Sequence, residues 1–389
     1  MNYTYPLSCT SWDEKEITAI NRVVQSNFFT MGKEVLACEK LFAETIGSKF
    51  CVMTSSGSTA NLISIASLFF RKNNFLKKGD EIIVPAVSWS TTFSPLQQYG
   101  LKLKFVDIDI NTLNFDLTKL QDAITANTKA IFAVNLLGNP NDFAAIQMLI
   151  SDKNIILIED NCESMGAVFN NRAAGTFGLL GTFSTFYSHH LSTMEGGFVV
   201  TDDEEIYHLL LCLRAHGWTR NLPETNWVTG EKSKNAFDES YRFVLPGYNV
   251  RPLEFSGAIG VEQIKKLDYF LKVRRNNAEI FLAEFSQHPY FHVQEEVGKS
   301  SWFGFSLIIK KDAPLDRTEV VKKLLATGIE TRPIVSGNFT KNKVLEYFDY
   351  EISGQLKNAD LLDTNGFFVG NYAIPLKESL KLLKSTLIS

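Results

Sequence analysis

Four short segments of the chain carry residue types that could bind or move charge. Ser56-Gly57-Ser58-Thr59-Ala60-Asn61 follows an apolar run and opens a helical stretch. Backbone N–H groups at a helix N-terminus, with the Ser58 and Thr59 hydroxyls beside them, make a phosphate site. Ser and Thr are also preferred helix caps, and taken alone a plain cap is the simpler reading. Ile158-Glu159-Asp160-Asn161-Cys162-Glu163 places carboxylates at the end of a strand-like run. The C-terminal end of a parallel strand is the ligand side of a sheet, and an Asp there could hold a pyridinium nitrogen protonated. A turn or cap carboxylate is the alternative. Phe183-Ser184-Thr185-Phe186-Tyr187-Ser188-His189-His190 leads into Met194-Glu195-Gly196-Gly197 and contains two of only six histidines. Neighbours in a strand face opposite ways, so at most one of the pair reaches a site, and a structural or surface pair is the plain alternative. In Gly247-Tyr248-Asn249-Val250-Arg251 the Asn reads first as turn chemistry.

These segments need a scaffold. Phe50 to Thr54, Glu81 to Pro85, Leu103 to Asp107, Ala130 to Asn135 and Ile155 to Glu159 are short apolar runs bounded by turn residues. Helix-like stretches separate them, the first from Asn61 to Phe70. That alternation predicts an α/β three-layer domain around a mostly parallel sheet. Phe198 to Thr201 reads as a further strand and Glu204 to Arg214 as a helix. One long amphipathic helix is expected over Gln263 to Phe285, bridging into a smaller α+β C-terminal domain with a strand at Trp302 to Ile309 and a helix at Arg317 to Ala326. The expected division is 1–262 and 263–389.

Composition narrows the function classes. With 45% hydrophobic and 21% charged residues, a chain of 389 residues can bury a large core. A net charge of −4 without a Lys/Arg cluster gives no reason to expect nucleic acid. No apolar run approaches the roughly 20 residues a membrane helix needs. The N-terminus lacks the basic-then-apolar pattern of a secretory signal. Cys9, Cys38, Cys51, Cys162 and Cys212 are scattered, which suggests reduced thiols in the cytoplasm and no metal site.

Taken together and in this order, the four segments resemble the DegT/DnrJ/EryC1/StrS group of pyridoxal-phosphate proteins over nearly the whole chain. Phe29-Thr30-Met31-Gly32 matches the group's opening, Ser56 to Thr59 its phosphate turn, and Glu159-Asp160 its acidic strand end. Phe183 to Gly197 matches its cofactor segment, and Gly247 to Arg251 its Gly-Tyr-Asn turn. The resemblance implies the type I aspartate-aminotransferase fold, with a large mixed sheet. There is one departure. Counting back from Glu195-Gly196-Gly197, the lysine that would link the cofactor covalently falls on His189, and no Lys occurs between Lys153 and Lys232. Imidazole cannot make that link.

A His at this place marks the sugar 3-dehydratases of the group. The implied activity removes the C3 hydroxyl of a GDP-linked 4-keto-6-deoxy-mannose, as in making colitose for a bacterial O-antigen. Pyridoxal phosphate and pyridoxamine phosphate would be the cofactor forms, L-glutamate the amine donor, and ammonia the second product. Another His-bearing branch needs a cysteine-bound iron–sulfur cluster, for which this chain lacks clustered thiols. The resemblance implies that His189 is the base, a role suited to imidazole, which titrates near neutrality. Asp160 would pair with the ring nitrogen and Trp89 stack on the ring. Gly57, Ser58, Thr59 and Ser184 would hold the phosphate, and Asn249 would reach it from the second subunit of a homodimer. Glu163 would sit near the ring hydroxyl. His216, Arg220 and Arg332 are candidates for the sugar, the diphosphate or the glutamate carboxylate. Two other readings remain: a sugar-nucleotide 4-aminotransferase of the perosamine-synthase kind, and a non-catalytic cofactor-binding regulator.

Overall fold

A computed structural model describes residues 3–73 and 75–388. Its centre is an eight-stranded mixed sheet. The order is Phe50–Thr54, Gly197–Thr201, Leu180–Ser184, Ile156–Asp160, Thr128–Val134, Glu81–Pro85, Lys102–Val106 and Tyr350–Ile352. Six strands, from Leu180–Ser184 to Tyr350–Ile352, run parallel; Gly197–Thr201 pairs antiparallel with both of its neighbours. The central strands Glu81–Pro85 and Ile156–Asp160 are buried at every residue. This is why they read as continuous apolar runs: helices cover both of their faces.

The helix Gly57–Leu68 is apolar nearly all round, and nine of its residues are buried. It lies among the sheet, Ser90–Gln98 and Glu204–Arg214, so no face needs to be polar. Its first turn starts four residues ahead of the expected Asn61, because Ser56 caps it. The Ser56 hydroxyl accepts from Thr59 N–H, and the Thr59 hydroxyl accepts from Ser56 N–H.

The expected helix Gln263 to Phe285 begins four residues later, at Leu267, and Gln263 and Ile264 close a separate preceding helix. Glu254–Ile264 ends at Lys265, and Leu267–Phe285 begins after Lys266. The Lys266 ammonium at the break is tied to Asp13 at 2.9 Å and Glu16 at 2.7 Å. An amphipathic pattern continues through such a corner, so periodicity alone does not place the start of the second helix. Beyond it, an antiparallel sheet of Phe291–His292, Gly304–Ile309, Gly366–Gly370 and Thr331–Arg332 forms a second core with the helices Leu267–Phe285, Arg317–Ala326 and Lys377–Ile388. Between Thr331–Arg332 and Gly366–Gly370 the chain returns to the large sheet, where Tyr350–Ile352 adds its edge strand. Among the described residues no helix is long and apolar enough to cross a membrane.

One buried ion pair locks the N-terminal region to the sheet. Arg214 Nη1 donates to Glu39 and to the Met53 carbonyl (2.8 Å), while Glu39 accepts from Met53 N–H at 2.7 Å. Both side chains are almost wholly buried. Arg214→Met strands the Glu39 carboxylate, and a loss of about 3–5 kcal/mol of stability is expected, read as a lower urea midpoint.

Candidate active site

The cavity that gathers the expected residues lies at the C-terminal ends of the parallel strands, where ligands bind in open α/β sheets. Its volume is ≈ 640 Å³. Gly57, Ser58, Trp89, Asp160, Glu163, Ser184, His189 and Arg332 all line it. Among the described residues lining it there is no lysine.

Asp160 ends its strand, and the pleat decides its role. Glu159, one residue earlier, faces the opposite side and accepts from Gly175 N–H (2.6 Å) and Gly178 N–H (2.7 Å). Burial pushes the Glu159 carboxyl up to about 7, and it lies outside the cavity lining. Asp160 faces the cavity. Its Oδ2 accepts from Asn61 Nδ2 at 2.9 Å and Thr92 Oγ1 at 2.7 Å, and its Oδ1 from Cys162 N–H at 3.1 Å. Three donors fix the carboxylate in orientation. Asn61 and Thr92, which hold this carboxylate, were not among the expected site residues. Asn61 lay inside a segment already singled out, three residues after Ser58, on the helix face turned towards the strand end.

The phosphate end follows from backbone geometry. A Cβ on Gly57 would meet Ser184 Cβ at 2.6 Å and Cys162 Sγ at 3.0 Å, so only glycine lets the helix N-terminus press against the Ser184 strand. Ser58 Oγ shares a 2.9 Å hydrogen bond with Thr91 Oγ1, a second cavity residue not anticipated. Backbone amides, Ser58 and Ser184 thus form a cradle whose donor chemistry fits a phosphate dianion. Thr59 is spent on the cap, bonded to Ser55 and Ser56, and does not line the cavity.

His189 sits in a loop, not in the strand that the expectation of opposed faces assumed; the strand stops at Ser184 and the turn runs through Tyr187 to Leu191. The loop still separates the pair. His190 is buried, with Nε2 bonded to the Ser301 carbonyl at 3.1 Å, whereas His189 lines the cavity. His189 Nδ1 lies 2.9 Å from the Cys162 carbonyl. A carbonyl only accepts, so Nδ1 carries the proton and Nε2 the lone pair. The Phe303 ring packs edge-on at 5.1 Å. Burial lowers the imidazole from 6.5 to about 4, outweighing the Cys162 carbonyl, which favours the cation. Because the cation is the disfavoured form, protonation is postponed to lower pH. In the cofactor-free protein the ¹⁵N signals of His189 should report the neutral Nδ1–H tautomer down to about pH 5. Titration near 6.5 would contradict this.

Glu163 Oε2 accepts from Leu137 N–H at 3.1 Å, and burial raises this carboxyl to about 7, with Asp160 pushing the same way. Arg332 pairs with Glu330 at 3.0 Å across the cavity mouth, more than half exposed. Three candidates lie elsewhere. Arg220 stacks on Trp218 (4.1 Å) with His216 at the ring's edge (5.0 Å), and Asn249 Oδ1 accepts from Arg251 Nε at 2.9 Å. None of these lines the cavity of its own chain.

Known proteins carry the same architecture. The GDP-4-keto-6-deoxy-D-mannose 3-dehydratases of Escherichia coli O55:H7 and Yersinia pseudotuberculosis are 64% and 63% identical to the chain. The alignments cover 98% and 97% of it, and 99% and 97% of those proteins. A crystal structure of GDP-4-keto-6-deoxymannose-3-dehydratase with a trapped PLP-glutamate geminal diamine superposes with a TM-score of 0.98. It is 63% identical, covering 99% of this chain and all of that one. The aminotransferase-like fold expected from the sequence is therefore the fold observed. Residues 10–374 match the family pattern, and the chain belongs to the DegT/DnrJ/EryC1/StrS aminotransferase family.

Proposed function

We propose that this chain removes the C3 hydroxyl of GDP-4-keto-6-deoxy-D-mannose, giving the 3,6-dideoxy 4-keto sugar and ammonia, with L-glutamate as amine and electron donor. The observation that carries this reading is a histidine with a free Nε2 lone pair in a cavity that holds Asp160 and a phosphate cradle but, among its described lining residues, no lysine. When bound, pyridoxamine phosphate supplies the amine that condenses with the C4 ketone and a ring that takes up electron density. Ser58, Ser184 and the helix N-terminus hold its phosphate. Asp160, oriented by Asn61, Thr92 and Cys162 N–H, keeps the ring nitrogen protonated. Trp89 closes the ring face. His189 Nε2 takes a proton from carbon and returns it to the departing C3 oxygen. Glu163, whose carboxyl burial raises to about 7, would face the ring hydroxyl.

The balance is complete. Oxidation of glutamate to 2-oxoglutarate yields two electrons and ammonia. Replacement of the C3 hydroxyl by hydrogen consumes the two electrons. One water leaves C3 and one enters at C4, with no net change. A lysine amine would take the cofactor over by transimination and so release a sugar that keeps its nitrogen; imidazole cannot, so release as ammonia is favoured. Asn249, His216 and Arg220 lie outside the chain's own cavity, and we assign them to the cavity of a second copy in a homodimer. The five free thiols suit a reducing compartment, and the cytoplasm is where we place the reaction.

The test incubates the protein with pyridoxal phosphate, L-glutamate and a panel of nucleotide-linked 4-keto sugars. A 3-deoxy product with ammonia is expected, fastest with the GDP-mannose derivative. An amino sugar that retains the glutamate nitrogen would establish the transaminase reading instead. Cofactor binding without glutamate turnover would establish the regulator.

A further inference from the structure

The segment 185–196 that carries His189 is a loop closed at its neck. Thr185 N–H donates to the Gly196 carbonyl and Thr193 N–H to the Thr185 carbonyl, both at 2.9 Å, and the two threonine hydroxyls share a 2.6 Å hydrogen bond. Ser188, His189 and His190 also line a second cavity of ≈ 440 Å³, so the loop is not close-packed on that flank. Its position there is set by hydrogen bonds. His190 Nε2 donates to the Ser301 carbonyl at 3.1 Å. Ser192 is held by both of its backbone groups, and by side chains from two distant parts of the chain. Its N–H donates to Gln263 Oε1 at 3.1 Å, and its carbonyl accepts from Trp12 Nε1 at 2.9 Å.

Gln263 is 0% exposed, and both ends of its amide are used. Oε1 also accepts from the Ser11 hydroxyl at 2.7 Å, while Nε2 donates to Glu16 Oε1 at 2.7 Å and to the Ser11 carbonyl at 3.3 Å. The amide cannot turn over. A carboxylate oxygen only accepts, so Nε2 must face Glu16, and Oε1 must face Ser192 N–H. Glu16 is itself fixed. It is buried, the Lys266 ammonium reaches its two oxygens at 2.7 and 2.8 Å, and Asp13 N–H donates to Oε2 at 2.8 Å. A line of hydrogen bonds thus runs from the Lys266 corner through Glu16 and Gln263 to the loop, and a buried network satisfied in this way is stiff.

We propose that Gln263 and Trp12 are positioning residues for His189, holding Ser192 so that the imidazole Nε2 stays aimed into the first cavity. This role rests on the acid–base work assigned to His189 above. Neither residue lines that cavity, so both act through the loop. The phosphate cradle and Asp160 stand on the helix Gly57–Leu68 and on strands that precede the loop, and they do not depend on Ser192. Loosening Ser192 therefore displaces the base and leaves the cofactor's holding groups in place.

The test is a double-mutant cycle on the holoenzyme, combining Gln263→Met with His189→Asn and read by steady-state kinetics and thermal melts. Met keeps the length of Gln but offers Ser192 N–H no amide oxygen. With His189 present, kcat for dehydration should fall about 10-fold, while KM for the keto-sugar and cofactor affinity stay within about 2-fold. With His189→Asn, the same substitution should cost nothing further in kcat, because no base is left to position, although the melt shifts equally on both backgrounds. Trp12→Phe removes only the indole N–H from a half-buried ring, so folding is not at stake. Its kcat should fall about 3-fold, again only where His189 is present. An equal loss of kcat with and without His189, or an unchanged kcat in folded Trp12→Phe and Gln263→Met, overturns the positioning role alone. Undiminished dehydration by His189→Asn on its own overturns the role of His189, and the positioning role with it.

Discussion

Replacing His189 by Asn is expected to lower dehydration of the keto-sugar by about 10²–10⁴-fold, the range for loss of a general acid–base group. The substitution is conservative where structure is concerned. An Asn amide can still donate to the Cys162 carbonyl that now accepts from Nδ1, and the loop that carries residue 189 is tied by its own backbone, with His189 N–H donating to the Phe186 carbonyl at 2.9 Å. What disappears is the lone pair on Nε2, since a primary amide is no base near neutrality. The cofactor should still bind, because its holding groups are elsewhere: the Gly57–Ser58 turn, Ser184 and Asp160. Retained absorbance of bound cofactor with lost product formation is therefore the expected pair of results. Undiminished dehydration in this variant would remove His189 from the mechanism.

Asp160→Asn should cost about 10²–10³-fold in kcat/KM, comparable with loss of a preorganised charge partner elsewhere. The side chain is isosteric, but only one of its ends accepts. Asn61 Nδ2, Thr92 Oγ1 and Cys162 N–H now all donate to the carboxylate. An amide must turn its NH₂ towards either Cys162 N–H or the Asn61–Thr92 pair, leaving donor against donor and about 1–3 kcal/mol of lost stability. With the charge gone, the pyridine nitrogen is no longer held protonated and the ring is a poorer electron store. Steady-state kinetics with a thermal melt separate the two effects: the activity loss should far exceed what the melt explains. Activity within a few-fold of the unsubstituted enzyme would refute the pairing.

Much of this site was legible in the sequence because its parts are local. A phosphate turn needs a glycine flanked by hydroxyls at a helix start, and Ser56 to Thr59 spell that out. A buried parallel strand needs a continuous apolar run, and Ile156–Asp160 shows one ending in the carboxylate. The substitution of His189 for a lysine is a matter of residue type alone. The resemblance then joined these pieces across more than a hundred residues, which composition and periodicity could not do.

Other features are set by contacts between segments distant in the chain, and no local pattern encodes them. Asn61 and Thr92 are unremarkable polar residues in helices until the fold brings them to one oxygen of Asp160. The pleat, not the Glu159-Asp160 dipeptide, decides which carboxylate faces the cavity. The corner at Lys266 is fixed by Asp13 and Glu16, some 250 residues upstream, so periodicity placed the helix start four residues early. The second cavity beside His189 exists because four separate stretches of chain close around it. Residue types and short spacings determined the chemistry available to this protein; tertiary packing decided which groups meet, which way they face and where solvent can reach them.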